Sequence, residues 1–219
     1  MKKALTPLLF LCSFITFGQI DTPEIFIDFG IYFEDEFEPK PRSYSNISIG
    51  VELFSYKFIA PEIEIAYFSG NDVSESFNLN IDNGTTNGWS LSRYMEASVI
   101  TLSPKLFYGD KEFRFVLIPE YNIANIRTKG VYYEIPQENE IKYARTKNHY
   151  WSASFGIEGY AWSDSTRFGF YLNYSALDAG NALNQLSFDQ RDFSPLNYNT
   201  KTLGMSLRLL YNFKRKVHL

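Results

Sequence analysis

The chain has 219 residues, of which 45% are hydrophobic and 18% aromatic, and its formal net charge is −4. The negative charge, with no basic run in the middle of the chain, argues against nucleic-acid binding. Cys12 is the only cysteine, so a disulfide framework is excluded. The length suits a single domain.

The first residues have the pattern of a secretory signal. Two lysines precede an apolar stretch from Leu5 to Phe17, and small residues occupy the −3 and −1 positions of a cleavage site after Gly18. The pattern predicts a cleaved signal peptide over residues 1–18. Because Cys12 would leave with this peptide, the mature chain would have no cysteine ligand for a metal.

After the signal, apolar residues recur at every second position, beginning with Ile25, Ile27 and Phe29 and ending with Leu207 and Leu209. A period of two predicts β-strands with one apolar face. No stretch approaches the length of an apolar membrane helix, so any membrane crossing would be by strands. Alternation and turn signals together predict eight strands, over approximately 24–33, 45–54, 58–68, 93–107, 112–123, 149–162, 167–175 and 201–213.

The connections between these strands alternate between long and short. The long ones are polar and rich in Asn, Asp, Gly and Ser, which is typical of solvent-facing loops. Such alternation predicts an all-β, up-and-down antiparallel transmembrane barrel with short periplasmic turns and long external loops. The long connections cover 34–44, 69–92, 124–148 and 176–200, and the short ones 55–57, 108–111 and 163–166.

The face opposite the apolar one carries charges. A barrel with carboxylates and guanidiniums on its inner face must present the apolar face to lipid. In so narrow a barrel these charges would lack water and need partners, which predicts a salt-bridged plug, with Asp28 as the partner of Arg208. A proton or ion path, or an incorrectly assigned strand face, are the alternatives. The predicted lumen charge network consists of Asp28, Glu52, Glu62, Glu64, Lys105, Arg114, Glu120, Glu158, Arg167 and Arg208.

One predicted strand does not keep a constant phase. Met95, Ala97 and Val99 share one parity, whereas Ile100 and Leu102 have the other. A β-bulge near residues 99–101 would restore the alternation. Prolines at 104 and 119 also fit poorly inside a closed ladder, because proline donates no backbone hydrogen bond.

The signal, the two-residue repeats, the loop asymmetry and a last strand Leu203–Phe213 ending in an aromatic residue resemble the small outer-membrane β-barrel proteins of Gram-negative bacteria. The sequence around Gly18-Gln19 resembles signals of the Bacteroidetes type. The resemblance covers residues 20–213, with a barrel domain at 19–213 and a basic periplasmic tail at 214–219. It implies a location in the cell outer membrane, with outer-membrane lipid, the assembly machinery and an external partner of the loops as partners.

Catalytic and metal-binding patterns are weak. His149 and Ser152 faintly resemble the histidine and serine of outer-membrane lipid A deacylases, but their spacing directs them to opposite faces of a strand. Acidic loop residues, such as Glu34–Glu36 and Glu38 or Asp72 and Glu75, match no defined Ca²⁺ loop.

The sequence therefore favours a non-enzymatic outer-membrane barrel with a structural or interaction role and with no cofactor, metal or catalytic residue. A small outer-membrane lipid-modifying enzyme is the first alternative. A soluble secreted ligand-binding barrel is the second, and it would require the charged face to be the outer one.

Overall fold

The computed structural model describes residues 23–34, 43–80, 85–110, 112–135, 139–161, 163–188 and 201–213. Eight antiparallel strands form a closed ring in chain order, and the first pairs with the last. The predicted all-β, up-and-down barrel is thus confirmed. The strands are β1 (Glu24–Glu34), β2 (Ser43–Glu52), β3 (Ile59–Asn80), β4 (Thr85–Gly109), β5 (Phe113–Ile135), β6 (Glu140–Ala161), β7 (Ser163–Ser175) and β8 (Thr202–Asn212).

A short helix, α1 (Ala179–Asn184), lies between β7 and β8. Within the described residues, no helix is long and apolar enough to cross a membrane. The predicted signal peptide at 1–18 and the basic tail at 214–219 lie outside the described residues.

The outer face of the ring carries a continuous apolar belt. Large aliphatic and aromatic side chains on it are about half exposed, including Phe29 at 56%, Ile49 at 57% and Leu207 at 58%. Every second residue on the same strands is buried in the lumen, and many of these buried residues are charged. Apolar surface of this extent is unfavourable in water, at about 25 cal/mol per Å². An apolar exterior around a polar interior is the arrangement of a membrane-spanning barrel.

The turn between β4 and β5 shows why the short connections close tightly. Gly109 has φ of +141°, and a Cβ there would lie 2.4 Å from the Phe113 carbonyl oxygen, so no other residue fits without rearrangement. The Asp110 carboxylate accepts hydrogen bonds from the backbone N–H groups of Glu112 and Phe113 at 2.8 and 2.9 Å. This side-chain cap holds the turn.

Four strands extend far beyond the apolar belt, which corrects the predicted loops. β3 to β6 contain 22, 25, 23 and 22 residues, whereas β1, β2, β7 and β8 contain 11, 10, 13 and 11. Most of the predicted loops 69–92 and 124–148 is therefore strand, and α1 interrupts the predicted loop 176–200. We call the extended parts of β3 to β6, at residues 71–80, 85–98, 124–135 and 140–150, the outer sheet.

The predicted β-bulge in β4 is wrong. β4 pairs with β3 in one unbroken register, with Ala66 opposite Val99 and Ile65 opposite Ile100. The apolar residues change parity because the surroundings change. From residue 100 to the β4–β5 turn, the apolar residues of β4 lie on the outer face, in the belt. On the other side of residue 99 they lie on the inner face, where Met95 and Ala97 are buried in an apolar interior.

Three prolines lie side by side in the wall of the barrel. Pro61 in β3 is opposite Pro104 in β4, and the register between β4 and β5 places Pro119 opposite Pro104. The β4–β5 pairing is interrupted there, between the pairs Leu102↔Tyr121 and Leu106↔Leu117. The prolines are accommodated as a local gap in the backbone ladder, without a bulge.

Candidate functional site

The lower lumen is filled by charged side chains around Lys105. This residue has no exposed surface, and its ammonium Nζ lies 2.9 Å from Glu52, 3.2 Å from Glu62 and 2.6 Å from Glu158. The four side chains come from β2, β3, β4 and β6. One cation thus joins four strands across the interior.

Arg208 provides a second centre on β8. Its guanidinium donates from Nε to Asp28 at 3.0 Å, from Nη1 to Glu62 at 2.9 Å and from Nη2 to Glu64 at 3.3 Å. Arg208 and Asp28 are directly opposite each other in the β1–β8 ladder that closes the barrel. The guanidinium also lies 4.0 Å from the centre of the Phe26 ring, at cation–π distance. Glu62 is shared between Lys105 and Arg208, so the two centres are continuous.

Two further arginines extend the network toward the short turns. The Arg114 guanidinium bonds Glu158 through Nε at 2.6 Å and lies 3.5 Å from Glu52. Arg167 donates to Glu24, which also accepts a 3.0 Å bond from the Asn212 amide. The Tyr171 hydroxyl donates to Glu158. The network therefore runs from Glu64 to Glu24, the first residue of β1, without interruption.

Glu120 is bound differently. Among the described residues it has no cation within ion-pair distance, and its carboxylate instead accepts hydrogen bonds from Ser152 at 2.5 Å and Ser154 at 2.8 Å. Asn122 donates to Ser152, and Thr101 donates to Asn122 at 2.7 Å. Hydroxyl and amide groups thus take the place of a counter-ion.

The structure places all ten residues of the predicted network inside the barrel, and it brings nine of them together with Glu120 beside them. Glu24 and Tyr171 belong to the same network but are absent from the prediction. Alternation would have placed both on the inner face, since Glu24 has the parity of Asp28 and Tyr171 has that of Arg167. Glu24 is the first residue of its strand and Tyr171 carries no formal charge, so neither belongs to the mid-strand charges that predict the network.

Above the charges the lumen becomes apolar. Tyr32 and Tyr44 stack with ring centres 5.1 Å apart, and Phe68 packs against both at 5.6 and 5.8 Å. With the buried Tyr150 these rings form what we call the aromatic layer. A cavity of about 20 Å³, close to the size of one water molecule, lies between this layer and the charge network.

A third layer lies on the inner face of the outer sheet. Leu183, Leu186 and Phe188 pack against Leu91 and Tyr132 of the outer sheet, and we call these three residues the outer cap. Phe188 fits over Gly130, where a Cβ would lie 2.5 Å from its ring. The Asp178 carboxylate caps α1 by accepting from the Asn181 N–H at 2.9 Å. Residues 176–188 are thereby fixed against the inner face of the outer sheet.

The residues considered for catalysis are separated. His149 is exposed on the outer face, with Nδ1 3.1 Å from the Tyr121 hydroxyl, whereas Ser152 faces inward and binds Glu120. Within the described part of the chain, no group of three or more His, Cys, Asp or Glu side chains could hold a metal ion. The structure does not describe the side chains of Glu34–Glu36, Glu38, Asp72 and Glu75.

The sequence matches no protein-family model and no curated protein. The fold is similar to that of several solved structures. Ail of Yersinia pestis has 10% identity and a TM-score of 0.44, and the match covers 88% of this chain and 98% of that chain. The N-terminal β-barrel domain of Pseudomonas aeruginosa OprF has 12% identity and a TM-score of 0.41, over 89% and 100%. Neisserial surface protein A has 8% identity and a TM-score of 0.41, over 89% and 99%.

All three are small outer-membrane β-barrels, the class that the sequence resembles. The Bacteroidetes origin stays a prediction.

Proposed function

We propose that the protein is an outer-membrane β-barrel with a structural or interaction role, whose lumen is a salt-bridged plug and whose outer sheet stands outside the cell. One observation carries this proposal: the charge network and the aromatic layer fill the lumen, and strands β3 to β6 continue past the apolar belt. The outer part of β5 beyond Ile123 is about 40 Å long at about 3.3 Å per residue. The barrel thus serves as an anchor, and the outer sheet is the surface offered to an external partner.

The layers support a closed lumen. The charge network crosses the lower bore, the aromatic layer lies above it, and the outer cap packs on the inner face of the outer sheet. The cavity between the first two layers has a volume of about 20 Å³. A hydrated ion needs a continuous passage, so we expect a barrel that does not conduct.

Surface labelling tests the orientation. Tyr143 is 72% exposed on the outer sheet, and Asp110 lies in the β4–β5 turn. We expect Tyr143→Cys to react with a membrane-impermeant maleimide on intact cells and Asp110→Cys to react only after lysis. The unsubstituted chain is the control, because its one cysteine lies in the predicted signal. Labelling of Asp110→Cys alone on intact cells would invert the topology.

Conductance tests the plug. Protein reconstituted in a planar bilayer at high salt should give no sustained channel currents. A fold control is the shift in electrophoretic mobility when the sample is boiled in SDS, which reports a closed barrel. Stable current steps from a folded sample would contradict the plug and favour an ion path through the lumen.

The alternatives have less support. A lipid-modifying enzyme would need His149 and Ser152 to meet at the rim, but they lie on opposite faces of β6. A soluble ligand-binding barrel would need its charged face outward, whereas Glu158 and Arg208 are buried and Phe29 and Leu207 are exposed. Recovery of the protein in the soluble fraction without detergent would favour the second alternative.

A further inference from the structure

Strand β6 has an open side where it extends beyond its neighbour β7. The pairing between the two strands reaches only as far as Ser152, which is opposite Ser175. Beyond Ser175 the chain turns inward, since Leu177 is buried and α1 lies on the inner face of the outer sheet. Among the described residues no strand pairs with residues 143–149 of β6 on the side away from β5. We call residues 143–149 the free edge.

The backbone of the free edge is regular. β6 pairs with β5 without a shift in register from Glu140 to Gly159, and the free edge contains no proline. In an antiparallel sheet, successive residues direct their N–H and C=O groups alternately to the two sides, so every second residue of the free edge directs these groups away from β5. A row of such groups is a template for the addition of another strand.

The position of the free edge restricts which strand can be added. A strand paired with it would continue the line of β7, directly above Ser175. The four strands of the outer sheet all continue down into the apolar belt. A second copy in the same membrane that offered one of them would therefore place the rest of that strand where β7 already lies. The added strand must belong to a segment that stays outside the membrane.

The outward side chains of the free edge favour an acidic segment. Arg145 and Lys147 are exposed, and among the described residues neither forms an ion pair. Their direct neighbours on β5 are Arg127 and Asn125, and Glu96 lies one strand further away, opposite Arg127. Opposite charges on neighbouring strands are favourable, whereas like charges are destabilising. Carboxylates on an added strand would therefore stabilise both cations of the free edge.

The inward side chains of the free edge indicate the spacing of those carboxylates. Ala144, Thr146 and Asn148 are uncharged and half-buried. Because alternate residues of a strand face opposite sides, an added strand would place every second residue beside the cations and the others beside this uncharged face. The free edge therefore fits a segment that has a carboxylate at every second position, with small uncharged residues between.

We infer that the free edge of β6 binds an extended acidic segment of an external protein by strand addition, with alternate carboxylates beside Arg145 and Lys147. The inference rests on the proposed function, in which the outer sheet stands outside the cell. It specifies which part of the outer sheet an external partner contacts, and the chemistry of that partner.

The test uses the full chain in zwitterionic detergent micelles and a fluorescent nine-residue peptide that alternates threonine and glutamate, with binding followed by fluorescence anisotropy. R145Q/K147Q removes two charges from the free edge. R127Q/K129Q is the matched control, because it removes two charges from the same face one strand further in. We expect R145Q/K147Q to bind the peptide about tenfold more weakly than the unsubstituted chain, and R127Q/K129Q to bind it within about threefold.

Methylation of the peptide N–H groups distinguishes strand addition from attraction between charges. One alternate set of N–H groups in an added strand bonds the free edge, whereas the other set faces solvent. Methylating one set, either that of the glutamates or that of the threonines, should weaken binding about tenfold. Methylating the other set should change the affinity by less than about twofold.

Absence of binding by the unsubstituted chain would overturn the inference. So would equal losses in R145Q/K147Q and R127Q/K129Q, or equal binding of the two methylated peptides, since either result would show attraction to a charged face without backbone pairing. The boiling-dependent mobility shift confirms that each variant is folded. Because binding in micelles does not depend on membrane orientation, failure of the proposed topology is detected separately, by the maleimide labelling of Tyr143→Cys.

Discussion

The lower and upper halves of the lumen are filled by opposite kinds of side chain. The lower half depends on pairing, because each carboxylate is held by a cation or a hydroxyl. The upper half depends on volume, because Met95, Ala97 and Ile126 pack there without polar partners. The difference shows which half sets the register. A one-residue slip between β1 and β8 would turn Arg208 toward lipid, whereas apolar residues tolerate either face.

The largest expected effect comes from removing the central cation. Lys105→Met leaves Glu52, Glu62 and Glu158 without their shared partner, and loss of one member of a buried ion pair costs about 3–5 kcal/mol. Urea unfolding in lipid vesicles measures the change. Met95→Leu in the upper half is the control, at under about 1.5 kcal/mol for a volume-conserving exchange. Equal effects of the two substitutions would mean that the charges are hydrated and the contrast between the halves is false.

A double-variant cycle tests whether the closing pair is coupled. Arg208→Met should lower the free energy of unfolding, and adding Asp28→Asn should recover part of that loss, because one unpaired carboxylate is removed. We expect a coupling of about 0.5–3 kcal/mol, the range for contacting residues. Recovery stays partial because Glu62 and Glu64 still lack Arg208. Additive effects would indicate that Asp28 and Arg208 are separated by water.

Loss of buried volume should destabilise the outer cap without unfolding the barrel. Leu183→Ala removes a buried side chain that packs on Leu91 and Tyr132, at a cost of about 2–3 kcal/mol. We expect faster amide exchange at Leu186, whose N–H bonds the Leu183 carbonyl, with an unchanged boiling-dependent shift of the barrel. Loss of that shift would show that the cap and the barrel unfold together.

The smallest expected effect is at the start of α1. Asp178→Ala removes the acceptor for the Asn181 N–H and should destabilise the cap by about 1 kcal/mol. Amide exchange over residues 179–184 would report it. Ser187→Ala, an exposed change nearby, is the matched control, and equal exchange rates in the two variants would exclude a capping role for Asp178.

Much of the barrel could be predicted from alternation, because parity assigns each residue to the inner or outer face. The outer sheet could not be predicted in this way, because the apolar residues change from the outer face to the inner face at the membrane border. Below it, Ile100 and Leu102 face lipid. Above it, Met95 and Ala97 face the interior while Glu96 meets solvent. Because the apolar residues change face at this border, alternation alone predicts strands that end there and a bulge in β4.

The candidate site was predictable to a similar depth. Parity located the inward charges, and neighbouring strands suggested Asp28 beside Arg208. The sharing of Lys105 among three carboxylates depends on residues of β2, β3 and β6, whose relative height is set by stagger around the ring. The outer cap was not predictable. Phe188 packs in space that is free because Gly130 has no side chain, and the apolar residues of the cap lie in the predicted loop 176–200, which is polar on average.

The row of prolines has a consequence for motion in the wall. At the level of Pro61, Pro104 and Pro119 three N–H donors are missing, so backbone bonds alone hold β4 and β5 together least well there. Lys105 on β4 and Arg114 on β5 both pair with Glu158, so these ion pairs connect the two strands across the gap. Local separation of β4 and β5 should therefore begin at the prolines, and its rate should depend on the lifetime of the ion pairs that Lys105 and Arg114 form with Glu158.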